Sequence, residues 1–150
     1  RIAEEEATGL ALLRVYGARA VEPLTLADDS RSADVTLVGV PDPKTQAGGD
    51  AVSTISARLN GTSGSTVTIA PAPAAGFSGA AAIAGNRVVG MVRMGPAVVA
   101  GPPEGATAEI VPAEAIRRFL ARQKIAAARS GAIGPDVAKR SVVRVICVRD

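Results

Sequence analysis

Apolar and polar positions along this chain fall into short blocks separated by Gly and Pro, a pattern of many brief strands rather than long helices. Residues 10–15 form an aliphatic block that predicts a buried strand, followed by a turn at Gly17 and a short extended piece over 23–28. Residues 34–40 predict a second strand, closed by Pro41-Asp42-Pro43, and the polar, Gly-rich run 46–50 predicts a surface loop. Val52, Ile55, Ala57 and Leu59 place a strand over 51–59 that Asn60-Gly61 ends as a turn, and Val67-Thr68-Ile69 resumes the sheet. Residues 70–75 carry two prolines, which remove ladder donors, so this piece is a stiff connector. It leads to the turn Gly76-Phe77-Ser78-Gly79.

Residues 80–84, Gly85-Asn86 and 87–94 predict a hairpin with a two-residue tip. A Gly/Pro-rich loop over 95–105 precedes one more strand at 108–111. Pro112 then opens a helix with Ile116, Phe119, Leu120 and Ala127 on one face and arginines opposite. Gly131 to Pro135 breaks it, and 141–148 predict a final strand. The sum is an all-β fold: a Greek-key barrel or sandwich with one C-terminal helix and an extra last strand.

Composition narrows the function classes. The 150 residues are 47% apolar, enough for one domain with a real core. Tyr16, Phe77 and Phe119 are the only aromatics, so that core is aliphatic. The charge is mildly basic at +3, with the densest cations at Arg117, Arg118, Arg122, Lys124 and Arg129. These suit a solvated helix face; without aromatic platforms or a reader motif beside them, no nucleic-acid partner is expected. No apolar run reaches the roughly 18–20 residues of a bilayer span. Cys147 is the only cysteine, so an internal disulfide and a thiolate metal cluster are excluded, and no cofactor or metal is expected. Its aliphatic neighbours make it a buried thiol, or a partner for a cysteine in a segment outside this sequence.

The candidate chemistry centres on Ser78. In Gly76-Phe77-Ser78-Gly79, Gly76 lets the backbone approach closely, and the N–H groups of Gly76 and Ser78 can converge on one spot as in an oxyanion hole. The same four residues also suit a plain turn between strands. A serine hydroxyl needs a neighbouring base, usually an imidazole oriented by a carboxylate, and the chain contains no histidine.

Order and spacing over about residues 9–122 resemble the trypsin-like (chymotrypsin-fold) serine peptidases, particularly the bacterial ones. Gly9-Leu10-Ala11-Leu12-Leu13-Arg14-Val15 looks like the family's Asp-Leu/Ile-Ala-Leu-Leu-Lys/Arg strand, and Asp34-Val35-Thr36-Leu37-Val38-Gly39-Val40-Pro41 like the first strand of its C-terminal barrel. Gly76-Phe77-Ser78-Gly79-Ala80-Ala81 is similar to Gly-Asn/Asp-Ser-Gly-Gly-Pro, with Val88-Val89-Gly90-Met91 behind it, and Ile110-Val111-Pro112 leads into a terminal helix.

The resemblance implies a six-stranded barrel of the trypsin-like peptidase fold, with Ser78 as nucleophile and the Gly76 and Ser78 N–H groups as oxyanion hole. It further implies a pocket at Ala72, Met91 and Val92, without a carboxylate to attract a basic side chain. The family's orienting aspartate falls at Gly9, and its histidine would lie upstream of residue 1. Residues 1–22 are then expected to end a missing N-terminal barrel and linker, 23–128 to be the C-terminal barrel with its helix, and 129–150 a linker and last strand. By the same resemblance the parent is periplasmic or secreted and cleaves peptides or proteins, the chain as given being inactive. The alternatives are a dead pseudoprotease that binds or scaffolds, and an interaction domain of unrelated β fold.

Overall fold

A computed structural model of the chain describes residues 2–17, 21–28, 32–42, 52–95, 108–128, 134–143 and 145. Ala3–Glu5 (β1) and Leu10–Leu12 (β2) form a two-stranded hairpin. Asp34–Gly39 (β3), Ser53–Ser63 (β4), Thr66–Ala70 (β5), Ala81–Ala84 (β6), Arg87–Met94 (β7) and Ala108–Pro112 (β8) close a barrel. Two helices follow, Ala113–Arg122 (α1) and Pro135–Ser141 (α2).

The barrel joins two three-strand meanders. Their first strands, β3 and β6, pair with each other, and so do their last strands, β5 and β8, every ladder being antiparallel. Closure leaves none of the six strands with an open edge. The expected six-stranded antiparallel barrel with a C-terminal helix is therefore present, and it is consistent with a chymotrypsin-like barrel.

Inside lie Val35, Leu37, Ala57, Ile69, Phe77, Val89, Val92 and Ile110. With aromatics scarce, Phe77 is the largest fully buried side chain, and its burial contributes on the order of 2–3 kcal/mol. Small side chains let the strands close tightly. A β-carbon on Gly90 would stand 2.1 Å from Ile110 Cγ2 and 2.4 Å from the Val111 carbonyl oxygen, so β7 and β8 meet there at a distance only glycine allows.

Outside the barrel, Phe119 and Ala115 of α1 pack with Val111 and Leu10, joined by Leu12 and Met91, which pins the β1–β2 hairpin and the helix together. Ala138 of α2 packs with Val38, Ile83 and Val88 on another part of the wall.

Several elements differ from the pattern-based expectations. The block at 10–15 is a strand only over Leu10–Leu12, because it pairs with the short β1, which the acidic run had concealed; Val15 is exposed. Asn60-Gly61 is not a turn: β4 runs through it with a bulge between Leu59 and Gly61, and the chain reverses at Gly64, which adopts φ +59°. The helix ends at Arg122, so Ala127 lies beyond it. Residues 135–141 form a second helix because Pro135 sits in its first turn, where a missing N–H breaks no bond. Ser141 therefore ends a helix rather than opening a strand, and Val142, Val143 and Val145 are in no strand; the remainder of the proposed last strand, with Cys147, lies outside the described residues, as do Arg129 and the loop 46–50.

The arginines of α1 are mostly engaged rather than free. Arg117 donates to the Ala27 carbonyl at 2.8 Å and pairs with Asp28 at 3.3 Å, Arg118 pairs with Glu114, and Arg122 pairs with Glu5 of β1. Among the described residues no helix is long and apolar enough to cross a membrane.

Candidate functional site

The Ser78 turn is built from both sides by the barrel. Ala70–Pro71 is a cis peptide, and the connector that follows enters a single 3₁₀ turn, Ala75–Phe77. Gly76 then passes against the end of β3: a β-carbon there would stand 2.2 Å from the Pro41 oxygen and 2.5 Å from the Val40 oxygen. Phe77 drops its ring into the barrel core, where Gly39 makes room for it; a β-carbon on Gly39 would meet Ala80 Cβ at 2.6 Å and Phe77 Cδ1 at 3.0 Å. Past the serine, Gly79 (φ +86°) donates to the Val92 carbonyl at 2.8 Å, and Val92 N–H donates to Ala80 at 2.8 Å. The turn is thus stitched to the middle of β7.

With Phe77 anchored inward, Ser78 is left outside, exposed, with no hydrogen bond from Oγ to another described residue. Its own N–H is engaged, donating to the Ala75 carbonyl at 3.1 Å. For that N–H to serve an oxyanion, the Ala75–Gly76 peptide would have to rotate away. The chain holds no imidazole to take the hydroxyl proton, so in this arrangement Ser78 can donate and accept hydrogen bonds but has no partner for nucleophilic attack.

The other residues singled out from the sequence scatter. Ala72 is exposed on the connector. Val92 is buried among the barrel residues, and its backbone, not its side chain, meets the Ser78 turn. Met91 is half-buried and packs with Leu10 and Phe119 on the outer wall. Neighbours on β7, these two turn to opposite faces of the sheet. The cavities of about 530, 520 and 220 Å³ in the molecule include neither Ser78 nor any of these three among their lining residues.

Gly9 occupies the last position of the turn between β1 and β2, with φ +70° and its N–H donating to Glu5 at 2.9 Å and Glu6 at 3.2 Å. Arg93 of β7 lies across it. The Arg93 Cδ is 3.4 Å from where a β-carbon on Gly9 would stand, Nη1 donates to the Ala7 carbonyl at 3.1 Å, and Nη2 pairs with Glu109 of β8 at 2.7 Å. Arg93 and Glu109 are direct cross-strand partners, so the ion pair is fixed by the β7–β8 register. The nearby Glu5 carboxylate is taken by Arg122 and by Thr8 Oγ1 at 2.6 Å.

Sequence reasoning passed over Arg93, although a signal existed: it is the one charge inside the apolar run that makes up β7 after Arg87. Among the described residues, no group of three or more acidic, cysteine or histidine side chains could hold a metal ion. Comparison of the chain with protein families, with curated proteins and with solved structures gives no match in any of the three.

Proposed function

We propose that this chain is a non-catalytic relative of the trypsin-like serine peptidases, a barrel that binds a peptide or protein segment without cleaving it. The observation that carries this reading is Arg93 lying over Gly9. Gly9 is the position to which the resemblance assigns the orienting aspartate, and what stands beside it is a guanidinium held by Glu109 and the Ala7 carbonyl. An imidazole working as a base must become a cation, and an arginine–glutamate pair satisfied within itself offers no free carboxylate to orient and stabilise it. Loss of the orienting aspartate alone costs about four orders of magnitude in turnover. The engaged Ser78 N–H supports the same reading independently.

The test is labelling of the natural protein that carries this chain with a fluorophosphonate probe, alongside Ser78→Ala, both checked for folding by circular dichroism. The expected result is no labelling that depends on Ser78. Labelling lost in Ser78→Ala would overturn the proposal.

A second reading, that the natural protein is an active serine endopeptidase with its base supplied from outside these residues, is favoured by one observation. Ser78 is exposed on a turn flanked by Gly76 and Gly79, with open space around Gly79. The same probe experiment decides between the two.

A further inference from the structure

A cavity of about 530 Å³ lies between the extended segment 23–28, the start of β7 and the end of α1. One side of it is polar. Arg87, exposed at the first position of β7, makes no hydrogen bond or ion pair with another described residue. Arg117 uses Nη2 for the Ala27 carbonyl and for Asp28, leaving the rest of its fork without a described partner. At the floor is Thr25, only 2% exposed, whose Oγ1 is buried with no hydrogen-bond partner. The other side is aliphatic, formed by Ile125 and the alanines that follow it.

We propose that this cavity is a second binding site, which takes the C-terminal carboxylate of a peptide ending in a small aliphatic residue. Two guanidiniums against one carboxylate leave the lining net positive, and a guanidinium fork matches a carboxylate in shape as well as charge. The aliphatic wall accepts the last side chain. The volume is within the range of roughly 300–1,000 Å³ over which pockets enclose a whole small molecule, which suits two or three residues better than a lone ion. Thr25 Oγ1, buried beside this lining, is a polar atom left without a partner in the free protein. Arg87 precedes Val92, the strand residue that holds the Ser78 turn, by five positions, roughly 16 Å of strand. The site is therefore separate from Ser78 and does not depend on whether that serine reacts.

The experiment titrates ¹⁵N-labelled protein with N-acetyl-Ala-Ala-Val as the free acid, with the same peptide as its C-terminal amide, and with valerate. The free acid is expected to shift the amide signals of Leu26, Arg87 and Ala127 saturably. The amide should bind at least about tenfold more weakly, the loss of one charge-assisted hydrogen bond. Arg87→Gln, shown folded by circular dichroism, should weaken the free acid by about the same factor. Equal binding of acid and amide, an unaffected Arg87→Gln, or no saturable shift up to about 10 mM would each overturn the proposal. Valerate binding as tightly as the tripeptide would overturn the peptide assignment in favour of a free aliphatic carboxylate.

Discussion

Gly76 packs against Pro41 so closely that a β-carbon would stand 2.2 Å from the Pro41 oxygen. Neither side can yield cheaply, because the contact is backbone against backbone and Phe77 next door is locked in the core. Gly76→Ala is therefore expected to destabilise the protein by about 2–3 kcal/mol, a fall in Tm of roughly 4–12 °C for a domain of this size. Thermal unfolding followed by circular dichroism checks this; a Tm within about one degree of wild type would show that the turn can move off the β3 end.

Two other glycines should separate space from backbone conformation. A β-carbon on Gly90 would collide with Ile110 and Val111, whereas Gly79 has open space around it and only its left-handed φ of +86° to resist a side chain. Gly79→Ala should cost about 1–2 kcal/mol. Gly90→Ala should exceed that clearly, because the β7–β8 ladder has to open. Urea unfolding of the pair gives the ranking, and the reverse order would contradict the close approach of these strands.

Arg93 and Glu109 should be coupled in folding. The pair is partly exposed, so a double-mutant cycle with Arg93→Met and Glu109→Gln is expected to give about 0.5–1 kcal/mol, smaller at high salt. A coupling energy of zero would mean that Arg93 is held over Gly9 by its stem and the Ala7 carbonyl alone.

Thr25→Val should stabilise the free protein by about 1 kcal/mol, since it replaces a buried hydroxyl lacking a partner with a methyl of similar shape. Destabilisation in the same urea experiment would show that the hydroxyl is satisfied in solution.

The barrel was legible in the sequence where side-chain pattern and turn chemistry agreed. The β6–β7 hairpin appears with its tip where Gly85-Asn86 placed it, because Gly85 takes a φ of +56° that few other residues tolerate. Asn60-Gly61 carried the same local signal, yet sheet pairing overrode it: a bulge absorbs the extra residue, and Gly64 supplies the reversal three residues later. The second helix was hidden because Pro135 reads equally as a breaker or as a first-turn residue. At the site, the exposure of Ser78 follows from local logic, since Phe77 beside it must be buried. Arg93 stands out locally as the one charge in the apolar run of β7 after Arg87, but its placement over Gly9 depends on the β7–β8 register and on where the β1–β2 hairpin docks, both long-range facts.

The glycines around Ser78 also bear on what the motif itself signifies. Gly76 is required by the Pro41 carbonyl, Gly39 by Phe77 and Ala80, and the backbone of Gly79 belongs to the ladder with Val92. The demands of folding alone hold these glycines in place whatever the side chain at position 78 does. A Gly-x-Ser-Gly string in such a barrel is then evidence about packing, and by itself it does not sort reactive serines from silent ones.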